Sequence, residues 1–200
     1  MKNNNLISLN RDPIDLFAEW YEEAKKTEIN EPNAMNLATI TDNVKISSRI
    51  VLLKFFSKKG FVFFTNTLSK KGKCIEANKS VALNFYWKSL QKQIRIEGEA
   101  SIIKDKQADE YFNSRSDDSK FGAWASSQSN YLNDRLELLK KFNEVKNFFL
   151  NKPINRPPYW TGYIVNPRLI EFWQQMPHRL HDRVEYIKIK SSWKARNLYP

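Results

Sequence analysis

His178 and His181 are the two histidines of the chain, and Arg179, Asp182 and Arg183 lie beside them. An apolar run, Leu169 to Trp173, leads into this stretch, and an alternating run, Val184 to Ile189, leads out. The pattern predicts a loop between two strands that carries polar groups to one spot. Charge alone fits a solvated loop equally well. A metal site from His178, His181 and Asp182 would lack the further His or Cys that completes a usual ligand set.

Two other places collect groups suited to an anion. Ser69 is placed to cap a short helix that begins with Lys70 and Lys71. The free N–H groups and dipole of a helix start would add to those two charges. Tyr111 and Arg115 are four apart and share a face if helical, with Ser119 able to approach from the following turn. Two hydroxyls and a guanidinium suit a phosphate monoester. Both features also occur on ordinary solvated helices. In Arg49-Ile-Val-Leu-Leu-Lys54 the strand period places Arg49, Val51 and Leu53 on one face and Ile50, Leu52 and Lys54 on the other. By itself that is a core strand with a charge near each end.

The elements that must hold these groups follow from pattern. Asp12-Pro13 starts a helix over Pro13–Lys26, with Ile14, Phe17, Trp20, Tyr21 and Ala24 on one stripe. Strands are predicted at Asn36–Thr41, Lys45–Phe56, Phe61–Thr65, Val81–Trp87 and Gln93–Ile103, with a helix from Ser69 to about Asn78 between the third and fourth. Helices return at Lys106–Ser114, with Asp105 as N-cap, and at Tyr131–Leu150, where Leu132, Leu136, Leu139, Phe142, Val145 and Phe149 form a stripe expected in the core. Strands at Tyr159–Val165, Leu169–Gln174, Arg183–Ile189 and Trp193–Leu198 close the chain. Near-consecutive short strands with tight turns argue an antiparallel barrel with helices around it.

The totals bound the rest. Two hundred residues without repeat or linker suit a single domain over 1–200, with 1–10 expected to be disordered. One cysteine, Cys74, excludes an internal disulfide and fits a reducing compartment. No apolar run approaches the ~20 residues that span a bilayer, so a soluble cytoplasmic protein is expected and no membrane partner. The net charge of +11 fits either nucleic acid or several phosphorylated ligands, and composition does not choose.

Wording goes further than charge. Glu171-Phe-Trp-Gln174 followed by Arg179-Leu-His-Asp-Arg183 resembles the C-terminal signature of the pyridoxine (pyridoxamine) 5′-phosphate oxidases, and the likeness runs from about Asp12 to Pro200. The resemblance implies an FMN-binding split barrel, a homodimer with FMN at the subunit interface. It implies oxidation of pyridoxamine or pyridoxine 5′-phosphate to pyridoxal 5′-phosphate, with O2 as acceptor and H2O2 as product. By resemblance, Arg49 and the backbone of Ile50, Val51 and Leu52 meet FMN, with Phe64, Thr65, Lys70 and Lys71 at its phosphate. Gln93, Gln128, Ser129, Trp173 and Arg183 match further FMN contacts. Lys54, Tyr111, Arg115 and Ser119 match the substrate-phosphate site, with Lys54 also beside the flavin. Arg179 and His181 match residues that meet the substrate at the reacting centre, Arg179 as an orienting cation. Phe64 stands where the family usually has Tyr, Lys70 where it has Arg, and Asn197 where its tail carries Arg. The residues between Gln174 and His178 also depart from the usual Gly-containing run. Rival readings are a split-barrel flavoprotein with another substrate, disfavoured by the phosphate set, and a basic nucleic-acid-binding barrel, which gives no reason for Arg179 to Arg183. No nucleic-acid partner is therefore expected.

Overall fold

The computed structural model describes residues 7–200. Among the described residues the first element is α1 (Pro13–Thr27), capped as its sequence demands: Asp12 accepts from the Ile14 N–H at 2.8 Å and Pro13 fills the first turn. Its apolar stripe buries Ile14, Phe17, Trp20 and Ala24. Phe17 packs edge-on against Phe56, Phe61 and Phe85. Truncating such a ring to alanine costs about 3–5 kcal/mol.

Nine strands form one antiparallel sheet: β1 (Ala34–Ile40), β2 (Ile46–Leu52), β3 (Phe55–Ser57), β4 (Gly60–Asn66), β5 (Ser80–Trp87), β6 (Lys92–Ile102), β7 (Trp160–Gln174), β8 (Asp182–Ile189) and β9 (Ser192–Asn197). The order is β2-β1-β5-β6-β7-β4-β3, with β8 and β9 branching from β7. The two ends of that order meet, because the Lys54 N–H donates to Val62 O on β4 at 2.8 Å. This closes a barrel around a core that includes Leu37, Leu83, Ile94, Ile96 and Val165. The helices are α2 (Lys70–Ala77), α3 (Asp105–Asn113), α4 (Asp117–Ala125) and α5 (Arg135–Phe148), together with a short 3-10 turn, Pro177–Arg179.

Several expectations need correction. The strand expected over Lys45–Phe56 is two, broken at Leu53–Lys54, because β3 leaves β1 and pairs with β4. The strands expected at Tyr159–Val165 and Leu169–Gln174 are one, β7, which runs through Pro167. Its first half pairs with β4 and its second with β8, while β6 lines its other edge from Tyr163 to Gln174. Pro167 has no N–H to give, and the register shifts opposite it at Glu97/Gly98. A side chain at Gly98 would sit 2.1 Å from Asn166 O, so the close approach requires glycine. Helix α4 was not anticipated at all. Asp105 is the first residue of α3 and Lys104, without a side-chain bond, is its cap.

The stripe expected to be core is not. No residue of α5 is buried, and Leu132, Leu136 and Leu139 are exposed. The helix packs on α4 rather than on the sheet, through Phe142 and Phe149 against Phe121 and Trp124. Of the segment expected to be disordered, residues 1–6 lie outside the described residues. Ile7 is 2% exposed, its N–H donates to Asp182 at 3.0 Å, and Tyr186 donates to Ser8 O.

Candidate active site

A cleft of about 730 Å³ opens where the end of β2, β4, the start of β7 and the helices α3 and α4 converge. The end of β2 brings Ile50, Val51, Leu52 and, just beyond it, Lys54. Strand β4 brings Phe64 and Thr65, α2 brings Lys71, and the α3–α4 region brings Tyr111, Arg115 and Ser119. Gln128 completes one wall by accepting from Thr65 Oγ1 at 3.2 Å.

Lys71 is the centre of its charge. Ser69 caps α2 by accepting from the Gly72 N–H, which turns Lys71 inward, and the residue is only 8% exposed. Its Nζ donates to Thr65 Oγ1 at 3.2 Å and Ser69 Oγ at 3.4 Å, both neutral. Burial, and next the charge of Arg49, hold the Lys71 ammonium below its usual pKa. Arg49 itself donates to Leu37 O at 3.1 Å, Thr39 Oγ1 at 2.8 Å and Ser47 Oγ at 2.8 Å, and burial lowers its pKa too. Two neighbouring cations with no carboxylate partner among the described residues are costly unless an anion joins them. They fit a phosphate.

The second anion feature lies across the same cleft. Phe64 and Tyr111 stack at 4.0 Å, and Phe64 stacks on Trp160 at 5.2 Å. Arg115 lies over the Trp160 ring at 4.9 Å, and burial lowers its pKa. Its Nη1 is buried and has no hydrogen-bond partner. Ser119 Oγ accepts from the Ser116 hydroxyl at 2.9 Å. The cleft thus joins most of the residues that the sequence assigned to cofactor and substrate. Trp160, Asn66, Ser116 and Ser126 line it and were not foreseen. Ser116 had a readable signal, a serine before two aspartates at a helix start. Trp160 had none.

The C-terminal stretch forms a separate cleft of about 480 Å³, lined by Trp173, Met176, His178, Arg179 and His181 among others. Trp173 and His181 have ring centroids 4.6 Å apart. His181 Nδ1 accepts from the Met176 N–H at 3.2 Å, so the neutral ring carries its proton on Nε2. His178 and Arg179 both take left-handed backbone, at φ 58° and 60°. Consecutive non-glycine residues there cost roughly 1–2 kcal/mol each, which the loop bears to aim its side chains. Arg183 lies opposite Trp173 on β8, and its guanidinium donates to Glu171 at 2.8 Å and to Tyr199 O at 2.9 Å. Glu171 is 3% exposed and also holds Arg95. Gln93 pairs in register with Trp173 from β6. Lys70, Arg49, Gln93, Ser129 and Arg183 line neither cleft.

Residues 21–149 match the family model described as pyridoxamine 5′-phosphate oxidase, and residues 160–200 match the model of the pyridoxine 5′-phosphate oxidase C-terminal dimerisation region. The chain is 47% identical over 192 residues to the pyridoxine/pyridoxamine 5′-phosphate oxidase of Haemophilus influenzae (strain 86-028NP), covering 95% of this chain and 90% of that protein. To the oxidase of Gluconobacter oxydans it is 47% identical over 195 residues, 98% of each. Among solved structures it is similar to PhzG from Burkholderia lata 383 in complex with tetrahydrophenazine-1-carboxylic acid, with a TM-score of 0.89 at 31% identity over 94% and 93% of the two chains. An FMN-binding, pyridoxamine 5′-phosphate oxidase-related protein from Nostoc punctiforme shares the fold, at a TM-score of 0.76 and 14% identity. With both family models matched in order along an antiparallel split barrel, the chain belongs to the pyridoxine/pyridoxamine 5′-phosphate oxidase family.

Proposed function

We propose that this protein is an FMN-dependent oxidase that converts pyridoxamine or pyridoxine 5′-phosphate to pyridoxal 5′-phosphate, with O2 reduced to H2O2. The observation that carries the reading is the first cleft, which is lined by two uncompensated cations: Lys71, with the charge of Arg49 behind it, and Arg115, in a wall shared with Tyr111 and Ser119. One suits the cofactor's phosphate and the other the substrate's. The split barrel, the family and the 47% identity to curated oxidases support it.

FMN, when bound, supplies the two-electron acceptor and returns the electrons to O2. The chain supplies position. Lys71 and Arg49 hold the cofactor phosphate, and the Ile50–Leu52 backbone borders its ring. Arg115, Tyr111, Ser119 and Lys54 grip the substrate phosphate, which fixes the distance from that phosphate to C4′. Arg179 orients the alcohol or amine at C4′ as a fixed cation, and His181 presents its Nε2–H beside it. The substrate loses two electrons and two protons. The alcohol becomes the aldehyde directly, and the amine does so after water releases ammonia.

Trp160 lines the first cleft and Trp173 the second, and both stand on β7. The 13 residues from Trp160 to Trp173 span roughly 40 Å of strand at ~3.3 Å each. No residue lines both clefts. A homodimer resolves this, the second cleft of one protomer completing the first cleft of its partner. A mixed row suits that interface: Ala38, Ala82, Glu97, Leu169 and Ile187 lie in one register line on one sheet face, four small or apolar residues around a single carboxylate. No described helix is long and apolar enough to cross a membrane. The buried free thiol of Cys74 suits the reducing cytoplasm, where we place the enzyme.

The experiment is direct. Release the cofactor with acid, identify it by chromatography, and assay the reconstituted protein for pyridoxal 5′-phosphate and H2O2. FMN with both products supports the reading; FAD, or FMN without turnover of either vitamer phosphate, refutes it.

A further inference from the structure

A guanidinium nitrogen that is buried is ordinarily hydrogen-bonded, most often to a carboxylate. Arg115 has no carboxylate within ion-pairing distance among the described residues, and its buried Nη1 has no hydrogen-bond acceptor. Aromatic faces occupy that place. The Trp160 ring lies 4.9 Å from Arg115 Cζ, and Phe112 lies 5.6 Å away. A π face attracts a cation without neutralising it and without taking up its in-plane donors. The guanidinium's charge and in-plane donors therefore stay free for a ligand in the cleft, where a carboxylate at the same position would offset the one and occupy the other.

The indole is itself fixed. Trp160 stacks on Phe64 at an interplanar angle of 15°, and Phe112 meets it edge-on at 5.2 Å. Its carbonyl accepts from Arg156 Nη1 at 2.7 Å. The same Arg156 donates to Asp109 at 2.6 Å and Asp105 at 2.9 Å, both on α3. Arg156 thus ties the first residue of β7 to the helix that carries Tyr111 and leads into Arg115. Strand, helix and guanidinium are held in one arrangement.

We propose that Trp160 is a positioning residue for phosphate recognition: its indole face, on a backbone tied to α3 through Arg156, presents the Arg115 guanidinium to the cleft as an unneutralised cation. The proposal rests on reading the first cleft as the site of the substrate phosphate. It also gives the Phe64 ring a use that needs no hydroxyl, as the layer behind the indole.

The test is a double-mutant cycle on the FMN-loaded dimer with pyridoxine 5′-phosphate as substrate. W160L should raise KM roughly tenfold, the effect of losing a desolvated cation–π contact, with kcat within about twofold and FMN affinity unchanged. W160F, which keeps a weaker π face, should fall between W160L and the wild type. In the R115A background W160L should add almost nothing to KM, because the group it positions is gone. Multiplicative effects of W160L and R115A, or a W160L enzyme that loses FMN and kcat together, would overturn the role of Trp160. If W160L fails to fold, the cycle is run with W160F, and additivity there overturns it equally. An R115A enzyme with unchanged KM would instead overturn the phosphate reading, and the role of Trp160 with it.

Discussion

Lys71 Nζ lies 3.2 Å from Thr65 Oγ1 in an almost closed setting, with a second cation, Arg49, as its charged neighbour. Burial and that neighbour depress the ammonium below its ordinary 10.5, so the charged form costs stability in the cofactor-free protein. The cost is full at pH below the lowered folded value and is relieved as pH rises from there toward 10.5. Lys71→Met should therefore raise the melting temperature of the cofactor-free protein at neutral pH. The same change should weaken FMN binding ten- to a hundredfold, the worth of one charge-assisted contact of about 1.5–3 kcal/mol. Calorimetric melts and fluorescence titration with FMN check both signs. A variant less stable without cofactor and unaltered in FMN affinity contradicts the assignment.

Arg115 tests the other end of the cleft. Arg115→Ala should raise KM for pyridoxine 5′-phosphate ten- to a hundredfold and leave FMN content unchanged, because its partner is the substrate phosphate. Steady-state kinetics at saturating FMN measures this. Its failure would take the form of lost FMN with unaltered KM.

Much of this site was legible because its residues act over short spans. Ser69 caps α2 and turns Lys71 inward within three residues. Tyr111 lies on α3 and Arg115 two residues past its end, so the expected shared helix face is not formed although both reach the cleft, while the alternation along Arg49 to Leu52 is set by strand geometry alone. What was missed depends on partners far along the chain. The break at Leu53–Lys54 exists because Lys54 bonds Val62 on β4, a pairing that no local pattern announces. Helix α4 carries few periodic apolar residues and a mid-helix Gly122, which diluted its signal. Leu132, Leu136 and Leu139 show a proper helical stripe, but periodicity does not say what a stripe faces. Trp160 reads as one apolar residue at a strand start, and only the fold sets it under Arg115.

The two arginines of the C-terminal stretch should separate. Arg183 is held by Glu171, so Arg183→Ala removes one partner of a buried carboxylate and should lower the melting temperature as well as FMN affinity. Activity should return in excess FMN. Arg179 stands on an exposed turn, and Arg179→Ala should leave stability and flavin spectrum intact while slowing flavin reduction at saturating FMN. Arg179→Lys should rescue it poorly, since an ammonium lacks the planar fork. Equal loss of FMN in both variants, with equal recovery, would remove Arg179 from the substrate.

The dimer carries its own test. Ile187→Glu places a second carboxylate in the row that runs from Ala82 through Glu97 to Leu169, at the apolar end beside Leu169. Sedimentation velocity should show the wild type as a dimer and the variant shifted toward a folded monomer with weakened FMN binding. A monomeric variant that keeps full FMN affinity and activity would contradict a site built from two chains.

Substrates are expected to be recognised by their phosphate and oxidised at the bound flavin. Anaerobic stopped-flow mixing of the FMN-loaded protein with pyridoxine 5′-phosphate, followed by the visible absorbance of the flavin, is the decisive measurement. The account predicts single-turnover bleaching with one pyridoxal 5′-phosphate formed per flavin, and little bleaching by unphosphorylated pyridoxine at the same concentration. Equal bleaching by both compounds, or none by the phosphate ester or its amine counterpart, would contradict it.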